Sequence, residues 1–185
     1  MNGTFRVTAA DPLSAARTGL LETPHGAVET PAFMPVASQG AVKGLTHAQV
    51  QDLGAQILLV NSYHLFLRPG VEAIEAMGGL HAFMSWPKPI LTDSGGFQIY
   101  SLSPLVRVRE EGVRFASHLD GTKHLLRPED VVDLQVRLGT DVLMCLDHFP
   151  PFPYSDETLR ESVRLTSAWA RRAKARFREH DTRQQ

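Results

Sequence analysis

Three short segments of this 185-residue chain pair a polar strand-end residue, in two of them a carboxylate, with neighbours suited to holding a flat polar ligand. The first is LTDSGGFQ (91–98). Asp93 stands at the end of an apolar run and is followed by the Ser94 hydroxyl, by Gly95 and Gly96, and by the ring of Phe97. Glycines let a ligand approach the main chain and its N–H groups closely, and Phe97 supplies a face for stacking. Carboxylate, amides and an aromatic plane together suit a nitrogenous ring such as a nucleobase. The plainer alternative is that Asp93 caps a helix in a Gly-rich turn. The second segment is CLDHFPPFP (145–153), in which Asp147 ends another apolar run and the prolines prevent an immediate helix. A carboxylate there can accept hydrogen bonds from a base edge or act as acid or base, or it caps the loop. His148 beside it reads as a structural hydrogen-bonder. The third, VNSYHLFLRPG (60–70), puts Asn61 at a strand end, able to donate to a carboxylate, with Leu65 and Phe66 as core.

Other chemistries fit these residues less well. His64, Asp93, Asp147 and His148 are of types that a metal-dependent barrel hydrolase would use. No H-x-H pair ends the first apolar run, however, and no H-x-x-x-H occurs. Ser94 lies in D-S-G-G rather than in the G-x-S-x-G of a nucleophile elbow. The single cysteine, Cys145, excludes a disulfide within this chain and a Cys-cluster zinc site built from it alone. No metal ligand is assigned to the chain.

The elements that would position these groups alternate along the sequence. Residues 1–36 read as antiparallel strands broken by Gly and Pro turns. Apolar runs at 32–38, 56–61, 89–94 and 141–147 follow, interleaved with helical segments. One helix opens at Thr46 and stops at Gly54, one runs after Pro69 to Gly78-Gly79, and one begins at Pro128. Between the third and fourth runs, VRVREEGVRFASHLDGTKHLL carries the alternation and the Gly112 and Asp120-Gly121 turns of inserted antiparallel hairpins. A last helix carries Leu165, Trp169, Ala173 and Phe177 at i, i+4 spacing. Continuous apolar strands alternating with helices imply an α/β fold with a parallel sheet covered by helices, either doubly wound or part of a (β/α)8 barrel. The first strand lacks a following G-x-G-x-x-G, whereas Asn61, Asp93-Ser94 and Asp147-His148 fall at strand ends, where a barrel gathers its functional groups. The expectation is one unit over 1–185: antiparallel strands to residue 36, then, over 37–185, about the first four β/α units of a barrel that needs about 250 residues to close.

Composition adds limits. Apolar residues make up 43% and charged residues 21%, which excludes disordered and collagen-like classes. The formal net charge of -1 gives no bulk signal for nucleic acid, yet residues 160–185 hold eight Arg or Lys against three Asp or Glu. Such a basic segment meets phosphates or forms a solvated helix face. The N-terminus lacks the apolar core of a signal peptide, and no run approaches the roughly 18–20 residues of a membrane span. A soluble, cytoplasmic chain without a membrane partner is expected.

The segments TPHGAVETPAFMPVASQGAVKGLT, GAQILLVNSYHLFLRPG, LTDSGGFQIYSL and GTDVLMCLD, in that order and spacing, closely resemble the tRNA-guanine transglycosylases (queuine tRNA-ribosyltransferases) of the bacterial type, from about Ala16 to the end of the chain. The resemblance implies a (β/α)8 TIM barrel with an added antiparallel sheet. It also implies a pentosyltransferase that exchanges the wobble guanine of certain tRNA anticodons for a deazaguanine precursor of queuosine through a covalent ribose–enzyme intermediate. Carried over by position, Asp93 is similar to the general acid/base and Phe97 to the stacking aromatic, often Tyr in the family. Asp147 is similar to the carboxylate that reads the base edge, and Asn61 to the side chain that orients the site, while Ser94, Gly95 and Gly96 line the pocket. The family's nucleophilic Asp and its structural zinc, held by three Cys and one His, belong to the second half of the barrel and match no residue here. Family members often read D-E-C where this chain has Asp147-His148-Phe149. Implied partners are the tRNA anticodon loop and a guanine or deazaguanine base, with a homodimer or a second chain completing the barrel. The alternatives are a non-catalytic partner or remnant subunit of such an enzyme, and the metal-dependent hydrolase.

Overall fold

The computed structural model describes residues 4–103, 105–150 and 152–180. The chain opens with an antiparallel sheet of β1 (Thr4–Ala10), β2 (Arg17–Thr23) and β3 (Gly26–Thr30), in that order. The tight turn between β2 and β3 carries His25. Helix α1 (His47–Asp52) follows with Thr46 at the expected N-cap, where it also forms a capping box with Gln49. Its side chain accepts from the Gln49 N–H while Gln49 Oε1 accepts from the Thr46 N–H, satisfying two donors that the helix leaves over. Gly54 stands just beyond, with φ of +80°, where a side chain would be strained.

Next come β4 (Leu58–Val60), α2 (Ser62–Leu67), α3 (Val71–Ala76), α4 (Leu80–Met84), β5 (Ile90–Thr92) and α5 (Gly96–Leu102). Strands β6 (Val106–Arg109), β7 (Gly112–Ala116) and β8 (Lys123–Leu126) form a separate antiparallel sheet, so the insertion is a pair of hairpins that share β7. Helix α6 (Pro128–Leu138), strand β9 (Val142–Leu143) and the long α7 (Asp156–Glu179) complete the order. The parallel sheet runs β4-β5-β9, with Val36 bridged to Leu59 on the outer side of β4. Each member lies beside its predecessor in sequence, with no reversal of order. No closed barrel forms among the described residues, and none of their helices is long and apolar enough to cross a membrane.

The sheet is shorter at its edges than the apolar runs predict. Run 32–38 contributes only the bridge at Val36, because Pro31 and Pro35 have no N–H to give a ladder. Run 141–147 is strand over Val142–Leu143 alone. Beyond it the side chain of Gln135 takes over, accepting from the Met144 N–H and donating to the Met144 carbonyl, both at 2.9 Å. Helix α2 falls in the segment read as a strand end with core residues Leu65 and Phe66, and α4 in one to which the sequence reading assigns no element. They are single short turns, made by the path between strands rather than by periodicity.

One apolar cluster joins Leu58, Val60, Ile74, Trp86, Ile90 and Leu138 between the sheet and helices α3, α4 and α6. A second joins Tyr63, Ile99, Phe115, Val131, Leu146 and Trp169, seating α7 and the inserted sheet. Trp169 is wholly buried and its indole N–H donates to the Glu110 carbonyl at 2.9 Å. Three of the basic residues of α7, Arg164, Arg172 and Arg176, pair with acids of this same chain. Arg172 pairs with Glu129 at 2.6 Å, and Arg176 with Asp133 at 2.7 Å, an atom that His180 also reaches at 2.7 Å. Arg171 is exposed. Two of the basic residues, Arg172 and Arg176, thus form a seam to α6.

Burial works to raise the Asp133 carboxyl, but hydrogen bonds from Arg176 and His180 hold it below the ordinary aspartate value. Arg172 does the same for Glu129, against a smaller effect of burial. Groups with lowered carboxyl values contribute stability above their unfolded values and lose it as pH falls through the folded ones. Wild type should therefore exceed an Arg172→Gln/Arg176→Gln variant by about 1 kcal/mol at neutral pH, these pairs being one-third exposed. The gap should close below about pH 4. Urea midpoints of the two proteins from pH 7 to pH 3 measure it, and a gap independent of pH would contradict it.

Candidate functional site at the strand ends

Parallel strands deliver their C-terminal ends to one edge, and there the three polar strand-end positions meet. Asn61 follows β4 directly and is 6% exposed. Asp93 follows β5, and its N–H continues the ladder to the Val60 carbonyl at 3.1 Å. Asp147 lies beyond β9. The Asn61 side-chain amide donates to Asp93 Oδ2, and the Ser62 and Gly95 N–H groups donate to Asp93 Oδ1 at 2.9 and 3.2 Å. Ser94, also 6% exposed, donates its hydroxyl to Asp147 Oδ1 at 2.8 Å and accepts the Gly96 N–H at 3.2 Å. Asn61, Asp93, Ser94, Gly95, Gly96 and Asp147 thus form one hydrogen-bonded constellation across three strand ends.

Asp93 is not a helix cap. Helix α5 starts at Gly96 with Gly95 at the cap position, and no side chain caps it. Gly95 has φ of +76°, which turns the chain sharply enough for its own N–H to reach back to Asp93. Gly96 is required for a different reason, since a Cβ there would lie 2.6 Å from Asp147 Oδ1 and 3.0 Å from the Asp147 carbonyl oxygen.

The donors leave a specific opening. A carboxylate offers about four lone-pair positions. In Asp93 the two on Oδ1 are taken by main-chain N–H groups and one on Oδ2 by Asn61. The remaining Oδ2 position is the one on which a proton can be received or from which it can be given. In Asp147, Ser94 occupies Oδ1, and no donor among the described residues bonds to Oδ2. Phe97 stands 52% exposed at the mouth, with Phe149 edge-on to its ring at 5.2 Å. The site thus brings together a carboxylate fixed by three donors, a second carboxylate with one oxygen free among the described residues, and exposed aromatic surface.

Two imidazoles nearby, His64 and His148, are pushed below the ordinary histidine value. Burial and the neighbouring His118 lower the His64 imidazole, with Asp93 pulling the other way. Burial likewise lowers His148, whose main chain is fixed by Thr166 and Ser162 of α7. The structure does not draw His64 and His148 together with Asp93 and Asp147 into a metal-type cluster of three among the described residues. Three contributors escaped the sequence reading. The Ser62 N–H is backbone and has no signature. Phe149 was visible only as a departure from a motif. The contact of the Tyr63 hydroxyl with His118 at 2.8 Å spans 55 residues and no spacing rule links them.

Gly96→Ala should displace Asp147 and break its bond to Ser94, at a cost of about 1–3 kcal/mol for overpacking. Chemical denaturation with a crystal structure of the variant measures both. An unchanged midpoint with Ser94 still on Asp147 would contradict the contact.

A family model described as queuine tRNA-ribosyltransferase matches residues 11–185. Proteins of that name are similar along almost all of the chain. The one from Solibacter usitatus (strain Ellin6076) is 55% identical over 176 residues, covering 95% of this chain and 46% of its own length. The one from Thermoanaerobacter sp. (strain X514) is 51% identical over 170 residues, covering 92% and 45%. The one from Thermodesulfovibrio yellowstonii is 49% identical over 180 residues, covering 97% and 46%. The chain spans about half the length of the curated relatives it matches.

Proposed function

The chain belongs to the queuine tRNA-ribosyltransferase family, and from that premise we propose that it carries the base-recognition and general acid/base part of a tRNA-guanine transglycosylase. The observation that supports this most directly is the constellation at the strand ends. Asp93 is fixed by three donors with one lone pair left over, beside Asp147 with an oxygen turned to no donor of the described chain.

In this reading the wobble guanine, or the deazaguanine that replaces it, lies between Phe97 and the strand ends. Asp147 accepts from the base's N–H edge, and Ser94 keeps that carboxylate from rotating. Asp93 takes and returns the proton of the departing and arriving bases through Oδ2, and Asn61 holds it to that task by occupying the other position. Stacking on Phe97 contributes roughly 1–3 kcal/mol. The nucleophile that forms the ribose–enzyme bond is no residue matched here, and the complete reaction requires the rest of a barrel. The sequential parallel order supports that architecture, with 37–185 as its first four units and the antiparallel strands before residue 36 as its added sheet. Apolar surface flanks both edges of the parallel sheet, with Phe33, Val36 and Leu53 beside β4 and Met144 and Phe177 beyond β9. Remaining strands, from the same polypeptide or a partner chain, would pack there. A structural zinc held by three Cys and one His does not fit this chain, which has one cysteine, and no step here uses it.

In the complete polypeptide, Asp93→Asn should keep the fold, because Asn preserves the shape, and abolish exchange of labelled guanine into tRNA. Exchange at the wild-type rate would overturn the role. Asp147→Ala should weaken base binding by about 1–3 kcal/mol, the cost of a lost buried hydrogen-bond partner. Calorimetry with guanine measures it, and equal affinity would remove Asp147 from base reading.

A further inference from the structure

At the opposite end of the parallel sheet, three residues from distant parts of the chain converge. His25 comes from the turn between β2 and β3, His81 from α4, and Asp141 from the entry to β9. Asp141 is buried; its Oδ1 lies 2.7 Å from His25 Nδ1 and its Oδ2 lies 3.2 Å from His81 Nε2. All three ligand atoms fall within 4.8 Å of one another, and the two imidazoles stack with centroids 3.5 Å apart.

With His81 neutral, the protons at this cluster do not close. His81 Nδ1 lies 3.0 Å from the Trp86 carbonyl, which can only accept, so Nδ1 carries the proton. In the neutral ring, Nε2 then points a lone pair toward a carboxylate oxygen. That nitrogen is buried and makes no hydrogen bond of acceptable geometry. A cation between Nε2 and the carboxylate removes the conflict. The surroundings are those of a metal site. His81 has its other nitrogen fixed on a backbone carbonyl, and Asp141 Oδ2 is held by the Ile90 N–H at 2.8 Å.

We propose that His25, His81 and Asp141 form a site for a zinc-type divalent cation that fastens the N-terminal sheet to the parallel sheet. Two imidazoles and one carboxylate are three of the four ligands such an ion takes, with water as the fourth. Seating the ion requires the rings to open from their 20° stack so that both lone pairs converge. His25, whose side chain is 38% exposed on a hairpin turn, can make that movement. The site contains no sulfur and lies on strand entries, apart from the strand-end constellation.

The test is a metal-stripped full chain titrated with Zn²⁺ by calorimetry and with Co²⁺ by absorption, alongside His25→Gln and His81→Gln, each checked for fold by circular dichroism. Expected is one equivalent in the parent beyond either variant, with Co²⁺ bands lacking thiolate charge transfer. Loss of a direct ligand should weaken binding by more than the 10–100-fold that an outer partner costs. His25→Gln leaves the Asp141–Ile90 bonds in place, so a folded variant is assured a reading. Equal stoichiometry and affinity in His25→Gln and the parent would overturn the proposal. So would an absence of binding, including the case in which the three side chains hold together without metal as an imidazolium–carboxylate pair.

Discussion

The strand-end site depends on the register of β5 against its neighbours. Side chains alternate along a strand, so a slip of one residue would turn Asp93 to the opposite face. Asp141 holds that register by gripping Ile90 twice. Its N–H donates to the Ile90 carbonyl at 2.9 Å, and its Oδ2 accepts the Ile90 N–H at 2.8 Å. Leu91 then faces Val142 and Thr92 faces Leu143, and Asp93 emerges level with Asn61. A buried carboxylate at one end of the sheet thereby positions the Asp93 carboxylate at the other.

The interior of the sheet is fixed with similar economy. Gln135, fully buried on α6, bonds the Thr92 hydroxyl and both main-chain groups of Met144. It stands in for a strand neighbour exactly where β9 runs out, and so carries the chain on toward Asp147 with its backbone groups satisfied. Buried amides of this kind are costly when left unpaired and specify geometry when fully paired. Helix α7 is held on the far side by Trp169 and by the ion pairs to α6. Part of the basic charge concentrated after residue 160, on Arg164, Arg172 and Arg176, is paired with acids of the fold.

The same layout explains why the site looks incomplete from one direction. Carboxylates, an amide and aromatic surface converge on one mouth, while apolar surface remains along both sides of the sheet that supports it. A parallel sheet is stable when covered and closed. The polar strand ends and the uncovered apolar edges are both what the proposed function requires, with further strands packing beside this sheet.

Much of this was legible in the sequence alone. Alternating apolar runs and helices gave the α/β class, Thr46 and Gly54 marked the ends of α1, and the polar residues closing each run marked Asn61, Asp93 and Asp147. These are local signals, carried by propensity, turn chemistry and strand periodicity. The partners were not legible. That Asp93 would be held by Ser62 and Gly95 rather than cap a helix, that Gln135 would replace a strand, that Arg172 would be absorbed by Glu129, and that His25, His81 and Asp141 would meet were all decided by tertiary structure. Each joins residues whose separation along the chain obeys no period, and only the folded path of the backbone brings such groups within hydrogen-bonding distance.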